Sequence, residues 1–265
     1  MADMMTDKPR VAVHKFSSCD GCQLAFLNMG DDLLTLLAQL EVVHFAEMGV
    51  VDETAEADIA FVEGSVFTAH DRERIQRIRR QSRYLITIGA CATSGGVQAL
   101  RNYADDGADW CQAIYASPQY IDSLATSTPI RQHVKVDFEL WGCPINSRQL
   151  VALFNALLRG VKPAEQSEKV CLECKRNLNV CTLVASGQPC LGAVTRAGCG
   201  ALCPRFGRDC YGCYGPSELP NAASLGRWFE GIGLSRAASR RRFKLIHSTA
   251  FEAQHRKEAD DGAQS

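Results

Sequence analysis

Val11-Ala12-Val13-His14-Lys15-Phe16 runs directly into Ser17-Ser18-Cys19-Asp20-Gly21-Cys22, and this stretch decides the fold. A short run rich in Val and Phe has the character of a strand buried on both faces. It is closed by a Gly-bearing loop that carries two thiols. Four similar runs follow, at residues 42–46, 58–63, 84–89 and 136–141. Helical patterns separate them. The first covers residues 22–40, with a break at Gly30-Asp31-Asp32 where an Asp can cap the second half. The second, Ala69–Gln81, places Ile75 and Ile78 on one face and arginines on the other. Further helices are expected near residues 94–102 and over Ser147–Leu158, the latter stopped by Gly160 and Pro163. This alternation predicts an α/β fold, a doubly wound parallel sheet.

Cysteine is the unusual component. The chain has 13 in 265 residues, with a formal net charge of −1. Such a charge balance argues against nucleic acid as a partner. The apolar runs are short and interrupted by charges, which argues against a membrane span. Residues 1–10 show neither a secretory pattern nor a twin arginine, so a cytoplasmic location is expected. In a reducing compartment, thiols at this density are expected to ligate metal, either iron–sulfur clusters or zinc.

The thiols are also unevenly placed, with eight between Cys171 and Cys213. Residues 161–168 have the composition of a linker. The expected domains are therefore 1–165 and 166–265. Residues 169–220 are rich in Cys, Gly and Pro with little periodicity, and are expected to be organised by something other than an apolar core. Residues 227–257 are basic and read as a helical region packed on the second domain, with a docking surface for a partner or an anionic cofactor as the alternative.

Placed on this skeleton, Cys19 and Cys22 follow the first strand, Cys91 follows the fourth and Cys143 the fifth. Open α/β sheets collect their ligand sites just past the carboxyl ends of the strands. Thiols far apart in sequence are therefore expected to converge there. Neighbouring glycines allow close backbone approach to a bulky ligand. Glu63 stands at an equivalent strand end. It reads either as a polar, proton-handling or oxygen-ligating group near the site, or as an ordinary hydrogen-bonded loop carboxylate. The Gly89–Gly96 region has no following Lys and is no phosphate loop.

The second segment reads Cys171-x2-Cys174-x6-Cys181-x8-Cys190-x8-Cys199-x3-Cys203-x6-Cys210-x2-Cys213. At four ligands per cluster this suits two further cubanes. Zinc ribbons compete, because two Cys-x2-Cys pairs are present, and spacing alone permits several partitions. Cys111, beside Trp110, Ile114 and Tyr115, is expected to be a small buried hydrophobe on an apolar face. The 6 histidines show no metal-ligand spacing, and His14 is expected in the core or at an interface.

These residues carry a specific resemblance. Ser18-Cys19-Asp20-Gly21-Cys22-Gln23-Leu24, Glu63-Gly64-Ser65-Val66, Gly89-Ala90-Cys91-Ala92 and Trp141-Gly142-Cys143-Pro144 resemble the proximal-cluster motifs of nickel–iron hydrogenase small subunits. Val170-Cys171-Leu172-Glu173-Cys174, Gln188-Pro189-Cys190-Leu191-Gly192, Thr195-Arg196-Ala197-Gly198-Cys199-Gly200 and Cys210-Tyr211-Gly212-Cys213 look like the small (delta) subunit of the cytoplasmic, NAD(P)-linked sulfhydrogenase type. The resemblance spans residues 11–216.

It implies a flavodoxin-like first domain, followed by an irregular iron–sulfur-cluster-binding domain. The implied proximal 4Fe–4S ligands are Cys19, Cys22, Cys91 and Cys143. The implied distal ligands are Cys171, Cys174, Cys181 and Cys190, where membrane-bound relatives have His at the first position. The implied medial ligands are Cys199, Cys203, Cys210 and Cys213. Many uptake-type relatives have Pro at the position of Cys203 and hold a 3Fe–4S centre, so a fourth thiolate implies a cubane of lower potential here.

The implied role is electron transfer from a hydrogen-splitting large subunit through three 4Fe–4S clusters. The nickel–iron centre, FAD and NAD(P) are expected on partners: the large subunit, a flavin subunit and a further iron–sulfur subunit. The absence of a Gly-x-Gly-x-x-Gly fingerprint agrees with nucleotide binding elsewhere. Three rivals stand beside this reading. One is a methanogen-type hydrogenase subunit coupled to deazaflavin or heterodisulfide reduction, and another is a free-standing iron–sulfur carrier. The third is a respiratory Complex I-type subunit, which would carry an adjacent Cys-Cys pair that this chain lacks.

Overall fold

The computed structural model describes residues 8–103 and 110–252 of the chain, which divides into two compact units, Met1–Pro163 and Ala164–Ser265. The division falls inside the linker-like stretch 161–168. In the first unit, β1 (Arg10–Lys15), β2 (Glu41–Phe45), β3 (Ala57–Glu63), β4 (Ser82–Ile88) and β5 (Phe138–Leu140) form one sheet. The order is β2-β1-β3-β4-β5 and every pair is parallel. This is the flavodoxin-like order, and its direction reverses between β1 and β3, where such sheets bind their ligands.

Among the described residues six α-helices accompany the sheet: α1 (Gly21–Leu27), α2 (Asp31–Leu37), α3 (Ala69–Gln81), α4 (Gly89–Ser94), α5 (Trp110–Ile114) and α6 (Ser147–Leu158). Because strand side chains alternate, β1 and β3 feed two separate layers. Val11, Val13, Ile59 and Phe61 pack with Phe26 of α1 and with Leu150 and Phe154 of α6. Ala60, Val62 and Leu85 pack on the other face against Ile75 and Ile78 of α3. Phe61 is fully buried, with its ring centroid 5.2 Å from that of Phe26 and 5.1 Å from that of Phe154.

The helices α3 and α6 have the expected bounds because both are capped. Thr68 Oγ1 accepts the Asp71 N–H (3.1 Å) while Asp71 Oδ2 accepts the Thr68 N–H (2.9 Å), a reciprocal capping box. Asn146 Oδ1 accepts the Arg148 N–H (2.8 Å) at the start of α6. Elsewhere the expectations need correction. The segment 22–40 breaks at Gly30 as expected, into two short helices, but the cap of α2 is Gly30 with no side-chain bond, not an Asp. Asp31 and Asp32 instead occupy its first turn, where negative charge suits the exposed N–H groups. The helix expected near 94–102 is α4 plus a 3-10 segment, Val97–Tyr103. The left-handed Gly95 and Gly96 separate them.

The second unit contains α7 (Val170–Arg176), α8 (Thr182–Ser186), α9 (Leu202–Arg205), α10 (Ala222–Gly231) and α11 (Arg236–Lys244). It does have an apolar core, contrary to expectation. Val170, Leu191, Val194 and Ala201 from the Cys-rich stretch pack with Leu225, Phe229, Phe243 and Phe251 from the C-terminal helices. The aromatic partners lie far along the chain, so no local period announces them. Among its described residues the basic stretch holds the end of α10, then α11 after a break near Gly233, then a further helical run over 248–252. Its last part, 253–257, lies outside the described residues, as do residues 1–7 of the N-terminal stretch. Among the described residues no helix is long and apolar enough to cross a membrane.

Phe61→Ala is expected to cost about 3–5 kcal/mol, measured as a lowered midpoint in urea unfolding of the full chain.

Candidate functional site

The β1–α1 loop carries Cys19, the first turn of α1 carries Cys22, α4 carries Cys91, and the loop after β5 carries Cys143. All lie past the carboxyl edge of the sheet, and direct bonds tie the loops together. Ser17 and Ser65 exchange backbone bonds (3.3 and 2.9 Å), and the Ala90 N–H donates to the Gly142 carbonyl (2.7 Å). Gln98 Nε2 donates to the Ser17 carbonyl (3.1 Å) and its Oε1 accepts from Cys91 Sγ (3.2 Å).

Glu63, the last residue of β3, is buried at the switch point. Its Oε1 accepts the Cys22 N–H (3.0 Å) and its Oε2 the Gln23 N–H (3.2 Å). These are donors of the first turn of α1, whose own cap residue, Asp20, makes no side-chain bond to the helix. A carboxylate from a neighbouring strand therefore holds the Cys22 turn in place. Burial pushes the Glu63 carboxyl up, against the backbone donors that favour its charged form.

The thiols act on one another. Burial raises Cys22, with Glu63, Cys91 and Cys143 adding to the effect. Burial pushes Cys91 up to about 12, and Cys143 and Cys19 add to it. Cys143 is raised by burial and then by Cys19 and Glu63. Gly89, at φ +83°, has no room for a side chain, because a Cβ there would collide with Cys22 Sγ.

In the second unit, Cys171 and Cys174 stand on α7, Cys181 caps α8, and Cys190 precedes a 3-10 turn. Burial pushes Cys171 up to about 11, with Cys190, Cys174 and Cys181 adding. Cys174 is raised by burial and also feels Cys190 and Cys181. A Cβ at Gly192 would lie 3.5 Å from both Cys171 Sγ and Cys190 Sγ, so the bare backbone covers two thiols at once. Cys199 stands near Cys203, and Cys210 near Cys213 and Cys190. The Cys210 N–H donates to Cys190 Sγ (3.2 Å). Among the described residues, no group of three or more His, Cys, Asp or Glu is arranged to hold a single metal ion.

Two supporting residues escaped the sequence reading. Glu173, inside Cys171-x2-Cys174, accepts the Gly198 N–H (2.9 Å) and the Ala201 N–H (3.2 Å), and so holds the Cys199 turn from α7. His247 is fully buried and its Nε2–H donates to the Cys213 carbonyl (2.9 Å). Burial lowers its pKa to about 4, which leaves it neutral at pH 7. The only sequence signal for Glu173 is a carboxylate within an otherwise apolar Cys-x2-Cys turn.

Other candidates fall away from the thiols. His14 is buried and stacked on His44 with ring centroids 4.6 Å apart, and burial lowers its pKa to about 3. Cys111 is buried with its Sγ 3.4 Å from Ser123 Oγ. Its expected apolar face needs correction, because Trp110, Ile114 and Tyr115 are exposed.

The family model described as NADH ubiquinone oxidoreductase, 20 Kd subunit, matches residues 19–157, which hold the four thiols of the sheet edge. Sulfhydrogenase 2 subunit delta of Pyrococcus furiosus is 35% identical over 216 residues, covering 82% of this chain and 90% of the relative. The chain belongs to the hydrogenase branch of that family. This small subunit is also similar to a subunit of the F420-non-reducing hydrogenase vhu of Methanococcus voltae, at 31% identity over 86% of this chain and 90% of the relative. It is 29% identical to the NAD-reducing hydrogenase HoxS subunit delta of Cupriavidus necator over 58% of this chain and 80% of that one. A solved NAD+-reducing NiFe-hydrogenase chain in the H2-reduced state superposes with a TM-score of 0.54 at 27% identity, covering 60% of the small subunit and 96% of that chain.

Removing either carboxylate tests the two braces. Hydrogen bonds to a charged acceptor contribute about 1.5–3 kcal/mol. Glu63→Ala is expected to speed amide exchange at Cys22 and Gln23, and Glu173→Ala at Gly198 and Ala201, each roughly tenfold or more. Hydrogen-exchange mass spectrometry reads both.

Proposed function

We propose that this small subunit is the electron-transfer chain of a soluble, bidirectional nickel–iron hydrogenase of the NAD(P)-linked sulfhydrogenase type. The observation that carries the reading is the convergence of Cys19, Cys22, Cys91 and Cys143 past one sheet edge, in a chain that is 35% identical to a sulfhydrogenase delta subunit. Cys171, Cys174, Cys181 and Cys190 form the second ligand set in this reading, and Cys199, Cys203, Cys210 and Cys213 the third.

The residues suit iron–sulfur clusters. The donor set is all thiol, thiols of one set lie close enough to act on one another, as Cys91 and Cys143 do on Cys22 and Cys190 and Cys174 on Cys171, and glycine backbone rather than side chain lies over Cys22, Cys171 and Cys190. A 4Fe–4S cluster bound at each set would supply one-electron carriage between a hydrogen-splitting partner and a flavin-bearing one.

The chain's own residues do the positioning. Glu63 and Glu173 fix the turns that present Cys22 and Cys199. His247 fixes the Cys213 carbonyl. Backbone N–H groups of Cys210 and Gly212 donate to the sulfurs of Cys190 and Cys210, which stabilises negative charge there. The large subunit, a flavin subunit that binds NAD(P), and a further iron–sulfur subunit complete the proposed complex, and its place is the cytoplasm. A second reading has a specific support, the 31% identity to the Methanococcus voltae hydrogenase relative across 86% of the chain. It gives the same electron path a different terminal partner.

The small subunit, separated anaerobically from its partners, is expected to contain about twelve irons and twelve labile sulfides per chain, four of each per four-thiolate cluster. Zinc in place of iron, or one cluster only, overturns the reading. Cys203→Pro is expected to convert one centre to a 3Fe–4S form with its own spin signal after oxidation. Reduction assays with NADP, NAD and deazaflavin separate the two partner readings.

A further inference from the structure

The strongest unassigned feature is the inward-turned end of α11. Arg236, Arg240 and Arg241 face solvent, but Arg242 turns into the second unit. Its Nε donates to the Pro189 carbonyl (3.1 Å), directly before Cys190. Its guanidinium pairs with Asp209 and stands 4.0 Å from the centroid of the Tyr211 ring. Asp209 and Tyr211 flank Cys210. One side chain thus ties the Cys190 loop to the Cys210 loop, at the place where the Cys210 N–H meets Cys190 Sγ.

The guanidinium is within electrostatic reach of the Cys190 sulfur. The Arg242 and Asp209 side chains are only 15% and 13% exposed, so water screens their charges poorly. Neither residue has a part in the positioning roles above. The basic C-terminal segment packs on the second domain as expected, and Arg242 is the α11 arginine whose charge lies at that packed face rather than in solvent.

We propose that Arg242 and Asp209 form a charge pair that sets the reduction potential of the cluster held by Cys190, with Arg242 raising it and Asp209 lowering it. The proposal rests on the function proposed above. The physical basis is that a cluster becomes one unit more negative on reduction. A fixed cation beside a ligand sulfur stabilises the reduced form, and a fixed anion opposes it. Because the pair sits where the Cys190 and Cys210 loops touch, a change in its balance alters how an electron is shared between the second and third ligand sets. The same contacts also make Arg242 a mechanical tie. A test must therefore separate charge from support.

The experiment is a redox titration of the iron-loaded complex followed by electron spin resonance, with Arg242→Gln, Arg242→Lys and Asp209→Asn. Arg242→Gln is expected to shift electron sharing between the two centres at least tenfold, about 59 mV for a one-electron couple, towards a more negative midpoint for one centre. Asp209→Asn is expected to move the same centre in the opposite sense, and Arg242→Lys to stay near wild type. Loosened loops would not produce opposite shifts. Midpoints unchanged in both Arg242→Gln and Asp209→Asn, or moved in the same direction, overturn the proposal. If Arg242→Gln loses iron, Asp209→Asn decides alone, and a midpoint that stays or falls overturns it. A wild-type complex without cluster signals would instead overturn the proposed function.

Discussion

The bond from the Glu63 carboxylate to the N–H groups of Cys22 and Gln23 is the constraint around which the first unit is arranged. It lies between β1 and β3, paired in register at Lys15 and Glu63, where the sheet reverses its winding. Without it the first turn of α1 has no side-chain cap. With it, the strand that forms the middle of the sheet also fixes the thiol loop of its neighbour. Hydrophobic layers on both faces of β3 make that strand the most deeply buried element, so the carboxylate is held by the core itself.

The second unit repeats this logic with different parts. A carboxylate on α7 holds the Cys199 turn, and helices from the end of the chain supply the aromatic floor under Leu191 and Val194. The two units therefore solve one problem twice. Buried thiols repel each other when ionised and resist ionisation when buried. Each set needs a rigid backbone, with N–H donors aimed at sulfur, before it can serve as a ligand set.

Much of the first unit was legible in the residues. Runs such as Val11–Val13 and Phe61–Val62 are apolar on consecutive positions because both faces are covered. Thr68 with Asp71, and Asn146, mark helix starts by their own bonding. The thiols of the sheet edge were legible for the same reason, since each follows a strand. The core of the second unit was not, because Phe229, Phe243 and Phe251 reach Leu191 across many residues of chain and leave no local period. Glu173 was also hidden. Its carboxylate oxygens matter only once the Gly198–Ala201 backbone has folded onto α7. Arg242 looked like its solvated neighbours until the turn of α11 showed which side faces in.

The charge pairs near the thiols differ in what surrounds them, and this has a consequence for ionic strength. Lys15 and Asp20, beside Cys19, are 44% and 30% exposed, while Arg242 and Asp209, beside Cys190 and Cys210, are 15% and 13% exposed. Mobile ions screen exposed charges over about 8 Å at physiological salt but reach buried ones far less. Salt therefore loosens the rim of the first thiol site and leaves the tie in the second unit almost untouched. The charges beside Cys19 follow the surrounding medium, and those beside Cys190 and Cys210 are insulated from it.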